Sequence, residues 1–100
     1  MNKEDKLKLY DSVLRLVTVE HQDIKLAEEL SELTTEIIRI KTGRNKANSK
    51  EIITELADCI IMLEQFIRNH KLDGLVELAI DCKLKRLKYR LQSGGILEKQ

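Results

Sequence analysis

The stretches QDIKLAEELSELTTEIIRIK (residues 22–41) and EIITELADCIIMLEQFIRNH (residues 51–70) decide how this chain folds. In the first, Leu26, Leu30, Leu33 and Ile37 recur at spacings of three and four. In the second, Ile52, Leu56, Leu63 and Phe66 mark one face. That period belongs to helices, and no stretch alternates as a strand would. The chain has no proline, so nothing forces a break inside either helix. Between them, Gly43 is a stop signal and KTGRNKAN reads as an exposed loop. Asn48, followed three residues later by Glu51, resembles a capping box opening the later helix, which ends near His70.

Working outward, Leu7, Tyr10, Val13, Leu14 and Val17 share one side of a helix expected over Glu4–Val19, with a weak break near Glu20–His21. On the other side, Asp73 can cap a fourth helix running to about Gln92, before a Gly94–Gly95 stop. Four helices with short connections predict one all-α domain over residues 1–100, an antiparallel four-helix bundle. The run Ala57–Leu63 is apolar nearly all round apart from Asp58, a pattern of helices buried on more than one side. In so small a chain the simplest extra cover is another subunit, so a homodimer or homotetramer is expected.

Composition narrows the class. A net charge of +1 lacks the basic excess of a nucleic-acid binder. Cys59 and Cys82 lie in hydrophobic runs, not in a CxxC pair, and are expected to be reduced core cysteines. The opening MNKEDKLKLY is polar, and no long apolar run appears. A cytoplasmic protein with no signal peptide or membrane span is expected.

The chemistry lies beside the apolar stripes. On a helical wheel Gln22, Lys25, Glu29, Glu32 and Glu36 form a flank of the earlier helix, and Glu51, Glu55 and Asp58 the matching flank of the later one. Residues three apart are neighbours, so Glu29 with Glu32, and Glu55 with Asp58, each present two carboxylates together. Antiparallel packing would bring both pairs to one cluster, self-repelling unless a cation sits within it. A hard divalent ion such as magnesium suits oxygen ligands, and it commonly bridges carboxylates to phosphates. Either pair alone reads more readily as a solvated helix face, and the matched flanks of two consecutive helices bring the two readings level. A di-iron centre would need Glu-x-x-His pairs, which neither His21 nor His70 makes. Along the fourth helix Lys83, Arg86 and Arg90 line up beside an apolar stripe. They fit either phosphate binding or simple balance of nearby acids.

The segments Glu28-Glu29-Leu30-Ser31-Glu32-Leu33 and Glu55-Leu56-Ala57-Asp58, with 22 residues between Glu32 and Glu55, resemble the paired EExxE and ExxD motifs of the MazG-like all-α NTP pyrophosphatases. The likeness spans roughly Gln22–Arg90 and is closest to the small stand-alone members. It implies Glu29, Glu32, Glu55 and Asp58 as magnesium ligands, with manganese as a possible substitute. It also implies hydrolysis of an NTP or dNTP to the monophosphate and pyrophosphate. Glu28 or Glu36 would then orient or deprotonate the attacking water, and Lys83, Arg86, Arg90 and Lys25 would neutralise the phosphates. The fourth helix departs from the pattern. Larger members often carry an Asn between a Lys and an Arg, where this chain reads Lys83-Leu84-Lys85-Arg86-Leu87-Lys88-Tyr89-Arg90. A dUTPase-like preference within the same fold, or a non-catalytic helical interaction module, are the alternatives.

Overall fold

A computed structural model describes residues 1–94. All regular structure among them is helical: α1 (Lys3–Val13), α2 (Val19–Lys41), α3 (Lys50–Asn69) and α4 (Asp73–Gln92). The chain divides into two compact units, Met1–His70 and Lys71 onward.

Local chemistry sets the boundaries of the first unit. Asn2 caps α1, its side chain accepting from the Asp5 amide at 2.8 Å. The expected helix over Glu4–Val19 stops earlier, because Thr18 takes an extended conformation and accepts from the His21 amide, starting α2 at Val19. Gly43 follows α2 with φ of 74°, a conformation that costs glycine little, as its sequence position suggested. The cap of α3 is Ser49 rather than Asn48. Its hydroxyl accepts from the Ile52 amide at 3.3 Å, leaving Glu51 free of capping duty.

The α2–α3 pair is antiparallel, since partners descend α3 as they ascend α2. Gln22 bonds Gln65 and Asn69, whereas the Glu29 carbonyl accepts from Cys59. Burial picks out Gln22, Leu26 and Glu29 on α2, and Ile52, Cys59 and Gln65 on α3. The seam therefore differs from the expected core. It is rotated toward the acidic flank, so Leu30, Ile37, Leu56 and Leu63 remain exposed. With Ile53 and Ile60 they leave a second apolar stripe on the outer side of the pair.

Helix α1 lies along α3, pointing the same way. Buried Tyr10 donates to the Glu64 carboxylate at 2.5 Å, and Lys6 pairs with the same carboxylate at 3.1 Å. Arg68 grips Asp11 through two bonds of 2.8 and 2.9 Å. The Tyr10 bond, followed by Lys6, holds Glu64 below its usual range against the opposing effect of burial. Burial, then the carboxylate, pushes Tyr10 up to about 12.

In the second unit, α4 starts at Asp73 without a side-chain cap, after Lys71 in the left-handed region at φ 57°. Asp73 is thus the first helical residue, where its charge favours the helix dipole, rather than the cap. Gly94, at φ 74°, ends the unit's described part, and Gly95 lies outside the described residues. Cys82 is exposed, against the expectation of a core cysteine, because no residue of α4 is buried. None of the described helices is long and apolar enough to cross a membrane.

Candidate functional site

Midway along the seam, Glu29 and Glu32 of α2 face Glu55 of α3. One carboxylate oxygen from each lies within 4.8 Å of the others. The placement follows from helix spacing. Leu26 and Leu33 precede and follow Glu29 on its own face of α2, and Ile52 and Cys59 do the same for Glu55 on α3. Packing those apolar residues carries the carboxylates inward with them. Glu29 is buried, Glu55 half-buried and Glu32 exposed.

The cluster is electrostatically incomplete. Oxygen Oε2 of Glu55 is buried and has no hydrogen-bond partner. Burial first, then the neighbouring Glu29 and Glu32 carboxylates, push Glu55 up to about 7. One cation answers: Lys25 lies 3.4 Å from Glu29 and 3.7 Å from Glu28, and the bond to Glu29 leads in raising its pKa. That ammonium is half exposed and serves two carboxylates, so solvent weakens its hold. The Cys59 thiol donates to the Glu29 carbonyl at 3.3 Å. Burial, reinforced by Glu55, Glu29, Asp58 and Glu32, pushes that thiol up, which favours its protonated form.

Asp58, one turn beyond Glu55, is exposed and is not part of the close trio. Glu28 is exposed, and among the described residues only Lys25 pairs with it. Glu36 is largely buried and fixed, accepting from Asn45 at 3.1 Å and from Arg39 at 3.4 Å. Lys83, Arg86 and Arg90 are exposed along α4 in the second unit.

A cleft of about 410 Å³ opens beside the trio, lined by Glu36, Lys50, Glu51, Thr54 and Glu55. Glu55 belongs to both cleft and trio, so a group held by the three carboxylates would stand at the cleft's inner end. The sequence reading left out Lys50 and Thr54. Their signal was position: both follow the Ser49 cap within the first turns of α3, near Glu51 and Glu55. It also left out the amide cluster, in which Gln22 donates to Gln65 at 2.8 Å and accepts from Asn69 at 2.7 Å.

A divalent cation fits this donor set. Three carboxylate oxygens converge, one bare and buried, and hard oxygen ligands are what magnesium or calcium prefers. No known protein family, curated protein or solved structure matches the chain.

Proposed function

We propose that this protein is a MazG-like nucleoside triphosphate pyrophosphohydrolase that depends on magnesium, with manganese as a substitute. The observation that carries the reading is the convergence of Glu29, Glu32 and Glu55 around a buried oxygen without a partner. Burying carboxylates together is unfavourable unless something positive joins them. The order and spacing of the EExxE and ExxD motifs say which chemistry that positive group would serve.

In this reading Glu29, Glu32 and Glu55 hold the metal, with Asp58 joining from the adjacent turn. Bound there, magnesium would supply positive charge for the triphosphate oxygens and lower the pKa of a nearby water. Glu36 is the better-fixed residue to orient that water, because Asn45 and Arg39 hold its carboxylate beside Glu55, whereas Glu28 is exposed and meets Lys25 at 3.7 Å. Water adds to the α-phosphorus, the bond to the bridging oxygen breaks, and pyrophosphate leaves with the monophosphate as the other product. Lys25 neutralises phosphate charge.

The same reading includes a homo-oligomeric antiparallel four-helix bundle in the cytoplasm. The outer stripe of Ile53, Leu56, Ile60 and Leu63 supports the oligomer, since contiguous exposed apolar patches mark interaction surfaces. The test is a panel of canonical and modified NTPs and dNTPs, dUTP among them, assayed with magnesium for pyrophosphate against orthophosphate. Magnesium-dependent pyrophosphate release from at least one substrate is expected. Indifference to magnesium across the whole panel would leave the exposed stripe as the surface of an interaction module.

A further inference from the structure

The cleft beside the carboxylates has a chemistry of its own. The geometry points to Lys50 as the residue that grips the β,γ end of the triphosphate, the part that leaves as pyrophosphate. This inference rests on the pyrophosphohydrolase reading and names a part of the site which that reading does not.

Three observations converge on it. First, a cleft opens beside the trio on the side of the α2–α3 connection, past buried Ile52. Toward the amide end, buried Leu26, the Cys59–Glu29 bond and the Gln22–Gln65–Asn69 cluster fill the space between α2 and α3. Toward the α2–α3 connection lies the 410 Å³ cleft, with Glu55 at its inner end. A substrate whose phosphate is held at the trio has this cleft as its way along the seam.

Second, the lining suits phosphates rather than a nucleobase. Glu36, Lys50, Glu51, Thr54 and Glu55 include no aromatic ring and no aliphatic side chain, so a base would find nothing to stack on. A polyanion would find the Lys50 ammonium and the Thr54 hydroxyl. Glu36 is already answered by Arg39 and Asn45.

Third, the charge around the cleft's outer end has the right sign. From residue 39 to residue 50 the chain carries Arg39, Lys41, Arg44, Lys46 and Lys50 and no acid. Of these cations Lys50 lines the cleft, and no ion pair holds it among the described residues. The arrangement is graded: carboxylates for the metal in mid-seam, then Lys50, then a basic connection. Glu51 shares the lining, so a metal-bound triphosphate laid along it with its γ-phosphate outward has Lys50 as the cation that offsets that carboxylate.

The test compares Lys50→Gln and Lys50→Arg with the wild type, and with Lys3→Gln on α1 as a remote control. Exposed Lys50 has no packing role, so folding should be unchanged by circular dichroism, and magnesium should raise the melting temperature as in the wild type. Lys50→Gln should raise KM for the preferred triphosphate about tenfold, with kcat changed far less. Calorimetry should show the same loss for an α,β-imido triphosphate analogue. Affinity for the nucleoside monophosphate, which lacks the β and γ phosphates, should not change, and Lys50→Arg should restore most of the binding. Wild-type KM and analogue affinity in Lys50→Gln would overturn the inference while leaving the pyrophosphohydrolase reading intact, as would an equal loss of monophosphate affinity. If the wild type neither hydrolyses any triphosphate nor binds the analogue, the reading falls and the inference with it.

Discussion

Two polar clusters lie in one helix–helix seam, and they have opposite characters. At the amide end, Gln22, Gln65 and Asn69 satisfy one another with bonds of 2.7 and 2.8 Å between neutral groups. At the centre, Glu29, Glu32 and Glu55 bring like charges within 4.8 Å and leave one buried oxygen bare. Burial of polar groups is thus common to both and tells nothing by itself. What separates them is completeness: the amides answer one another, whereas the carboxylates leave a buried oxygen unanswered.

The sharpest break between the clusters should come from Glu55→Gln. A neutral amide keeps the shape but removes the charge that holds the metal, so pyrophosphate release should fall on the order of 100-fold or more. The metal-free protein should be as stable as before or slightly more so, because repulsion is relieved. Urea unfolding of both forms checks this, and parallel loss of stability and activity would assign Glu55 a structural role instead. At the amide end the pattern should reverse. Gln22→Ala leaves Gln65 and Asn69 without their partner and should cost about 1–3 kcal/mol in urea unfolding, to a similar extent with and without magnesium.

Magnesium itself should raise the melting temperature of the wild type by mass action. Sodium chloride of matched ionic strength should do less, since it only screens. Equal shifts from the two salts would reduce the trio to an acidic surface. The smallest effect is expected on α1, where Tyr10→Phe removes one bond to Glu64 and should cost about 0.5–1.5 kcal/mol without touching turnover. Because Glu64 is held below its ordinary 4.5, its contribution is complete above that value and is lost as pH falls through the lowered one. Thermal melts toward acid pH should therefore show α1 loosening, and Tyr10→Phe should blunt that dependence.

Much of this was legible in the sequence, for physical reasons that also mark where legibility stopped. Helix periodicity, the absence of proline and the Gly43 stop placed four helices and their order. The spacing of Glu29, Glu32 and Glu55 placed three carboxylates on matching flanks, and the structure brings those three together. Apolar content alone misplaces the facing of the seam. Leu30 and Ile37 are exposed, while Gln22, Glu29 and Glu36 turn inward. A heptad reading would have found this: Gln22, Glu29 and Glu36 repeat every seven residues, with Leu26, Leu33 and Ile40 offset by four. The α3 cap was missed by one residue because Asn48 and Ser49 are both good caps, and only backbone geometry chooses between them. Lys50 went unnoticed because a lone lysine at a helix start has no pattern until a cleft forms beside it.

The central claim is that the Glu55 carboxylate is unfinished until a divalent cation meets it. Its pKa, pushed up to about 7, means that the folded protein holds a proton which the unfolded chain, near 4.5, releases. The stability this proton confers is complete below about 4.5 and is lost as pH rises through about 7. The direct measurement is a carbon-13 NMR titration of the glutamate side-chain carboxyls, with and without magnesium at constant ionic strength. The account predicts a Glu55 midpoint near 7 without the metal, a clear fall when magnesium is added, and no change at Glu64. A Glu55 midpoint that ignores magnesium, or one that moves in step with Glu64, would contradict it.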